Sequence, residues 1–239
     1  MRKILSAMLP VYIVTVMLVI VLSQSGSRAI TALSERVHIK NRACVVIDAG
    51  HGGEDGGAVS CTGVPESQLN LEIALRLEDM LHLLGINTYM IRTTDCSVHT
   101  AGNSIAARKS SDLKERVRII NELKPELVLS IHQNYFGDSR YSGPQTFYGD
   151  NSSSKEIAAT MQNALISALT SGCNRKEKAA NGVYLMEHIQ SPALLIECGF
   201  LSNPEEEALL RNVEYQKKIC AVIAVTATKQ LSLDYQTNE

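Results

Sequence analysis

Four residues far apart in the chain have the chemistry of one metal site: His51 in Asp48-Ala49-Gly50-His51-Gly52-Gly53, Glu66, His132 in Ser130-Ile131-His132-Gln133-Asn134, and Glu197 in Leu195-Ile196-Glu197-Cys198-Gly199-Phe200. Two imidazoles and one carboxylate fill three positions of a tetrahedral Zn²⁺ and leave the fourth for water, the arrangement of a catalytic rather than a structural zinc. The second glutamate is then the proton carrier of a zinc hydrolase.

Each of the four has a plainer explanation when taken alone. Glu66 reads equally as a first-turn carboxylate on a helix dipole, each histidine as a satisfied structural residue, and Glu197 as a buried carboxylate on loop amides. Together they argue for a site. His51 lies among Gly50, Gly52 and Gly53, which let backbone approach a ligand closely. Helical spacing from Leu69, Asn70 and Ile73 puts Glu66 on an apolar face, where a carboxylate needs a partner. A pocket carboxylate such as Glu197 is suited to general acid-base work.

The elements that position them follow from periodicity. The β-branched run Ala43 to Asp48 reads as a buried strand, followed by a glycine-rich loop from Gly50 to Gly63. Apolar residues at Leu69, Ile73, Leu77, Met80 and Leu84 predict a helix from Glu66 to Leu84, with Pro65 near its start and Gly85 at its end. Ile86 to Ile91 is a second strand. A helical pattern through Leu113, Val117, Ile120 and Leu123 stops at Pro125. Leu127 to Ile131 is a buried strand, Gln145 to Tyr148 another, Ser152 to Leu169 a helix, Val183 to Met186 a short strand, and Ala193 to Ile196 a buried one. Two helices begin near Pro204 and Val213. Such alternation predicts an α/β fold: a single three-layer domain with a mostly parallel central sheet flanked by helices. In open α/β sheets ligands bind beyond the carboxyl ends of the strands, and His51, His132 and Glu197 fall at or just after such ends.

The 239 residues, 45% apolar and 20% charged, suffice for one ordinary domain with a substantial core. A formal charge of −2, no Trp and three Phe give no basic face or stacking platform for nucleic acid. Met1-Arg2-Lys3 precedes an uncharged apolar run from Ile4 to Ser23, close to the ~20 residues that span a bilayer. Residues 1–23 therefore read as a signal-anchor holding the protein to a membrane, or as a signal peptide cut after Ala29. Residues 24–42 are a tether and residues 43–234 the catalytic domain, placed outside the cytoplasm. The six cysteines are dispersed and lack CxxC spacing, and Cys44, Cys198 and Cys220 read as small buried hydrophobes.

These motifs together resemble the zinc-dependent N-acetylmuramoyl-L-alanine amidases of the Amidase_3 family, from about Val45 to the last helix. The family's D-P-G-H-G-G signature is present with Ala49 in place of proline, followed by Asp55 and Gly57-Ala58. Its S-I-H-x-N motif falls on Ser130 to Asn134, and its closing motif on Glu197-Cys198-Gly199-Phe200-Leu201-Ser202-Asn203-Pro204. Arg92 to Asp95, Leu113 with Arg116, and Asn174-Arg175 ahead of Val183-Tyr184 are secondary matches. The resemblance implies one Zn²⁺ per chain held by His51, Glu66 and His132, with Glu197 as catalytic base rather than fourth ligand. It also implies that Asp48 orients a ligand, and it gives Asn134 and Arg175 supporting or substrate-orienting roles. The implied reaction is hydrolysis of the amide between the lactyl group of N-acetylmuramic acid and L-alanine in peptidoglycan.

With no wall-binding repeats outside the catalytic region, the short anchored layout is similar to the germination-specific amidases of spore-forming bacteria. Those act on spore cortex as muramic-δ-lactam is made, which would place the protein between the membranes of the developing spore with an accessory targeting protein. A vegetative cell-separation amidase and a zinc peptidase cutting within the stem peptide are the alternatives, although the HExxH motif of many zinc peptidases is absent. A Cys198 nucleophile is disfavoured because strand alternation points it away from Glu197. A metal-less binding protein is disfavoured because all four positions are filled.

Overall fold

Long β-branched runs need burial on both faces, and the chain supplies it with a central sheet between two helical layers. In the computed structural model, residues 44–170 and 173–237 are described. The expected anchor and tether, residues 1–42, lie outside the described residues. Among the described residues no helix is long and apolar enough to cross a membrane.

Six strands, β1 Cys44–Ala49, β2 Asn87–Met90, β3 Leu127–Asn134, β4 Gln145–Tyr148, β5 Lys178–Ala179 and β6 Ala193–Phe200, form one sheet in the order β2-β1-β3-β6-β4-β5. All neighbouring pairs are parallel except β4 with β6. The helices are α1 Glu66–Leu83, α2 Ile105–Leu123, α3 Ser154–Leu169, α4 Tyr184–His188, α5 Pro204–Leu210 and α6 Val213–Thr237.

The helix ends follow local chemistry. Gly85, at φ 82°, takes the left-handed backbone that closes α1. Ser104 caps α2 by accepting from the Ala107 N–H. Asn203 caps α5 by accepting from the Glu205 and Glu206 N–H groups, with Pro204 in the first turn where its missing N–H costs nothing.

Register assigns the two sheet faces. Val46, Val128 and Ala193 are laterally aligned, as are Asp48, Ser130 and Leu195, then His132 and Glu197. This face is apolar at its base, where it forms a core cluster with Ile120 of α2 and Leu185 and Met186 of α4. It becomes polar toward the carboxyl ends of the strands. On the opposite face Val45, Ile47, Leu129, Ile131, Leu194 and Ile196 are buried where α1 and α3 contact the sheet and α6 packs across them.

Two expectations are corrected. Val183 to Met186 is not a strand: Tyr184–His188 forms the short helix α4, whose consecutive Leu185 and Met186 are both buried. A four-residue apolar run does not distinguish a buried strand from a buried helical turn. β3 and β6 also run three and four residues further than their apolar runs, so His132 and Glu197 lie inside strands rather than at their ends.

Candidate metal centre

β1 delivers the chain into a turn that only unusual backbone can make. His51 itself has φ 61° and is flanked by Gly52 at φ 132° and Gly53 at φ 62°. A left-handed histidine is strained and persists only where its surroundings hold it. Two buried arginines do so. Arg92 donates from Nε to the Ala49 carbonyl and from Nη2 to those of Gly50 and Ser67. Arg116 donates from Nη1 to Asp48 and the Ala49 carbonyl, from Nη2 to the His51 carbonyl, and from Nε to Asp112. Gly50 must be glycine, because a Cβ there would overlap the His132 ring.

The loop and α1 bring three ligand-type side chains together. His132 Nδ1 lies 2.9 Å from Glu66 Oε1, and His51 Nε2 3.3 Å from Glu66 Oε2. The two rings meet edge to face with centroids 5.1 Å apart. The donor atoms of His51, Glu66 and His132 all lie within 4.8 Å of one another. Donors sharing one tetrahedral Zn²⁺ at bonds of about 2.0–2.2 Å stand roughly 3.3–3.6 Å apart, so the 2.9 and 3.3 Å separations from Glu66 fit a single ion with small side-chain adjustments.

The ligands are oriented from outside. Asp55 Oδ2 lies 2.9 Å from His51 Nδ1, which turns Nε2 to the cluster. Glu66 accepts from the Ala58 N–H at 3.0 Å, the Gln133 N–H at 3.2 Å and Asn70 Nδ2 at 3.2 Å. Burial opposes charge on both partners, yet Glu66 and Asp55 push the His51 ring up to about 9. In the same way His132 and His51 hold the Glu66 carboxyl far below the usual carboxylate range.

Glu197 sits beside His132 in register on β6. Burial, reinforced by the Glu66 charge, pushes its carboxyl up to about 7 against the pull of the imidazoles. Among the described residues its buried Oε2 has no hydrogen-bond partner. Next to the histidines, between α2 and α4, lies a cleft of about 170 Å³ walled by Leu113, Val183, Leu185 and Leu195 with Lys109 at its edge.

The other expected residues fall as follows. Asp48 is buried beneath the cluster, accepting from Arg116 and from Ser130 Oγ at 2.6 Å; it reaches His51 only through Arg116 and the His51 carbonyl. The carboxylate on the His51 ring is Asp55, quoted in the sequence motif without a role. Its signal was the i,i+4 offset from a histidine inside a glycine-rich turn. Asn134 ends β3, and its carbonyl accepts from the Leu201 N–H. Arg175 stands over the Phe200 ring at 4.9 Å with Nε donating to the Ser142 carbonyl, among aromatics rather than ligands. Cys198 faces away from Glu197 and is fully buried, which pushes its thiol well up. Cys61, Cys96, Cys173, Cys198 and Cys220 are free thiols.

A family model described as N-acetylmuramoyl-L-alanine amidase matches residues 45–229. The germination-specific N-acetylmuramoyl-L-alanine amidase of Bacillus subtilis is 39% identical over 181 residues, covering 75% of this chain and 76% of that protein. The CwlD amidase of Clostridioides difficile, solved in complex with the GerS lipoprotein, superposes with a TM-score of 0.77 at 35% identity, over 80% of this chain and all of that one. The catalytic domain of the amidase CwlV from Bacillus (Paenibacillus) polymyxa gives a TM-score of 0.68 at 33% identity, over 79% of this chain and 98% of that one.

Proposed function

We infer the reaction from one premise: the chain belongs to the Amidase_3 family, the N-acetylmuramoyl-L-alanine amidases. The substrate is peptidoglycan, and the bond cut is the amide between the lactyl carbonyl of N-acetylmuramic acid and the nitrogen of L-alanine. His51 Nε2, Glu66 and His132 Nδ1 would hold one Zn²⁺, which when bound supplies Lewis acidity at the amide carbonyl and makes water nucleophilic near neutral pH. Glu197 takes the proton of the attacking water and delivers it to the leaving nitrogen. Asp55 keeps His51 turned to the metal, and Asn70 with the Ala58 and Gln133 amides fixes Glu66. The apolar wall of Leu113, Leu185 and Leu195 excludes water on one side of the reacting bond.

The observation that carries this reading is the pairing of a three-donor cluster with a buried, partnerless Glu197 Oε2 beside it in register. A base that has no hydrogen bond of its own is free to accept from water.

Likeness to the germination-specific enzyme supports a cortex role, in which stem-peptide removal prepares the muramic acid for δ-lactam formation. A cortex role requires the enzyme on the wall side of a membrane, and we read residues 1–23 as its anchor or export signal. The GerS complex of CwlD supports an accessory partner here.

The test is mass spectrometry of peptidoglycan digested by the zinc-loaded protein. Free lactyl-muramic ends and intact L-alanine-led peptides are expected, and cleavage inside the stem peptide would make the enzyme a peptidase instead. Glu197→Gln should stay folded and zinc-bound with activity down by about 10²–10⁴-fold; an active variant removes Glu197 from the mechanism.

A further inference from the structure

Gln145 opens β4 directly opposite Glu197 of β6 in their antiparallel pair. Such partners share a face with Cβ atoms about 4.5–5.5 Å apart, so Gln145 and Glu197 project from adjacent strands on the face that carries His132. Gln145 is only 1% exposed. Its Nε2 donates to the Lys176 carbonyl at 2.6 Å and to the Thr146 carbonyl at 3.2 Å. Carbonyls only accept, so the amide nitrogen must face them and the group is not interchangeable by a flip. Among the described residues Gln145 Oε1 is left as a buried acceptor without a donor.

Glu197 Oε2 is a second buried acceptor without a donor. Two acceptors cannot satisfy each other while Glu197 is ionised. Buried carbonyls left without donors are uncommon, and one at the edge of a reaction centre calls for a ligand that brings an N–H or O–H. The strand order β3-β6-β4 sets His132, Glu197 and Gln145 side by side in that sequence, at strand spacings of about 4.8 Å. A trans amide laid across this row with its C=O toward His132 points its N–H the opposite way, toward β4.

We propose that Gln145 Oε1 accepts the N–H of the scissile amide and so turns the leaving nitrogen toward Glu197. The inference rests on the amidase reading above. In the step itself, water oxygen bonds to the lactyl carbonyl carbon, its proton passes through Glu197 to nitrogen, and the C–N bond breaks to release the amine of L-alanine. Gln145 exchanges no proton; it binds the N–H before and during the transfer. The site then favours an amide over an ester at the cut bond, because an ester leaves the Gln145 acceptor unpaired.

The experiment compares the zinc-loaded full chain on two soluble muramoyl peptides, one with L-alanine and one with L-lactate at that position, which lacks the N–H. Gln145→Met, similar in size but with no acceptor of comparable strength, should lower the amide-to-ester ratio of kcat/KM by about tenfold, the worth of one hydrogen bond. Gln145→Ala, read in the same ratio, keeps the test open if the Met variant folds poorly. An unchanged ratio in folded, zinc-loaded variants overturns the proposal, including when both substrates slow equally, as a purely structural glutamine would produce. A wild-type protein that cuts neither substrate contradicts the amidase reading instead.

Discussion

An imidazole binds a metal only through a nitrogen free of its proton, and the His51 ring of the metal-free protein stays protonated up to about pH 9 because Glu66 and Asp55 outweigh its burial. On the zinc reading proposed above, uptake at pH 7 expels a proton from His51. Titration calorimetry at pH 7 in buffers of different ionisation heat should report at least one proton released per zinc, with the share from His51 falling away near pH 10. A heat independent of buffer at pH 7 contradicts this. The same linkage acts on stability. The folded pKa of His51 lies above its ordinary 6.5, so its ion pairs stabilise the metal-free protein fully below pH 6.5, and that contribution disappears as pH rises through about 9. The gain in Tm on adding zinc should accordingly grow across that window. Residue types together with their motif context singled out His51, Glu66 and His132, which the fold brings into one cluster. Asp55 and Gln145 stayed hidden because their roles depend on a left-handed φ at His51 and on the β4–β6 register, neither of which leaves a compositional trace.

At the scale of elements, the apolar runs located β1, β3 and β6 but stopped short of their ends, because His132, Gln133 and Glu197 interrupt hydrophobicity while the ladders continue. Those polar strand ends are the site. The loop after β1 is held by α2 through Arg116, 2% exposed, which joins Asp48 and Asp112 to the Ala49 and His51 carbonyls. Arg116→Met leaves Asp48 buried beside Ser130 without its counter-charge. The expected loss is about 3–5 kcal/mol of unfolding free energy, with weaker zinc retention as the His51 turn loosens. Arg118→Met on the same helix removes only exposed pairs with Glu115 and Glu122, which solvent already screens, and should change stability far less than Arg116→Met. Urea denaturation of both, with zinc content measured after dialysis, checks the contrast; equal losses would mean that the Asp48 ion pair does not anchor the loop.

For the whole domain, the sheet order explains why the site is where it is. From β1 the chain passes to β2 on one side, while β3 lies on the other, so the order reverses between β1 and β3. Loops leaving such a switch point diverge and open a crevice at the carboxyl ends of the strands. His51 leaves β1 and His132 lies on β3, on the two sides of that crevice, and α1 starts with Glu66 across it. The alternation of elements made this α/β layout legible from sequence, whereas the antiparallel insertion of β4 beside β6 was not, because a strand's direction is set by its partners. The described residues of the crevice all belong to Ala43–Glu239, a compact unit with its own core. The chain lacking residues 1–42 should therefore unfold cooperatively, bind zinc and cleave a soluble muramoyl peptide with the kcat/KM of the full chain. If residues 1–23 serve only as anchor or export signal, deletion changes where the enzyme acts and not how fast it turns over. Loss of zinc or of cooperative unfolding in the truncated protein would instead make the first 42 residues part of the catalytic fold.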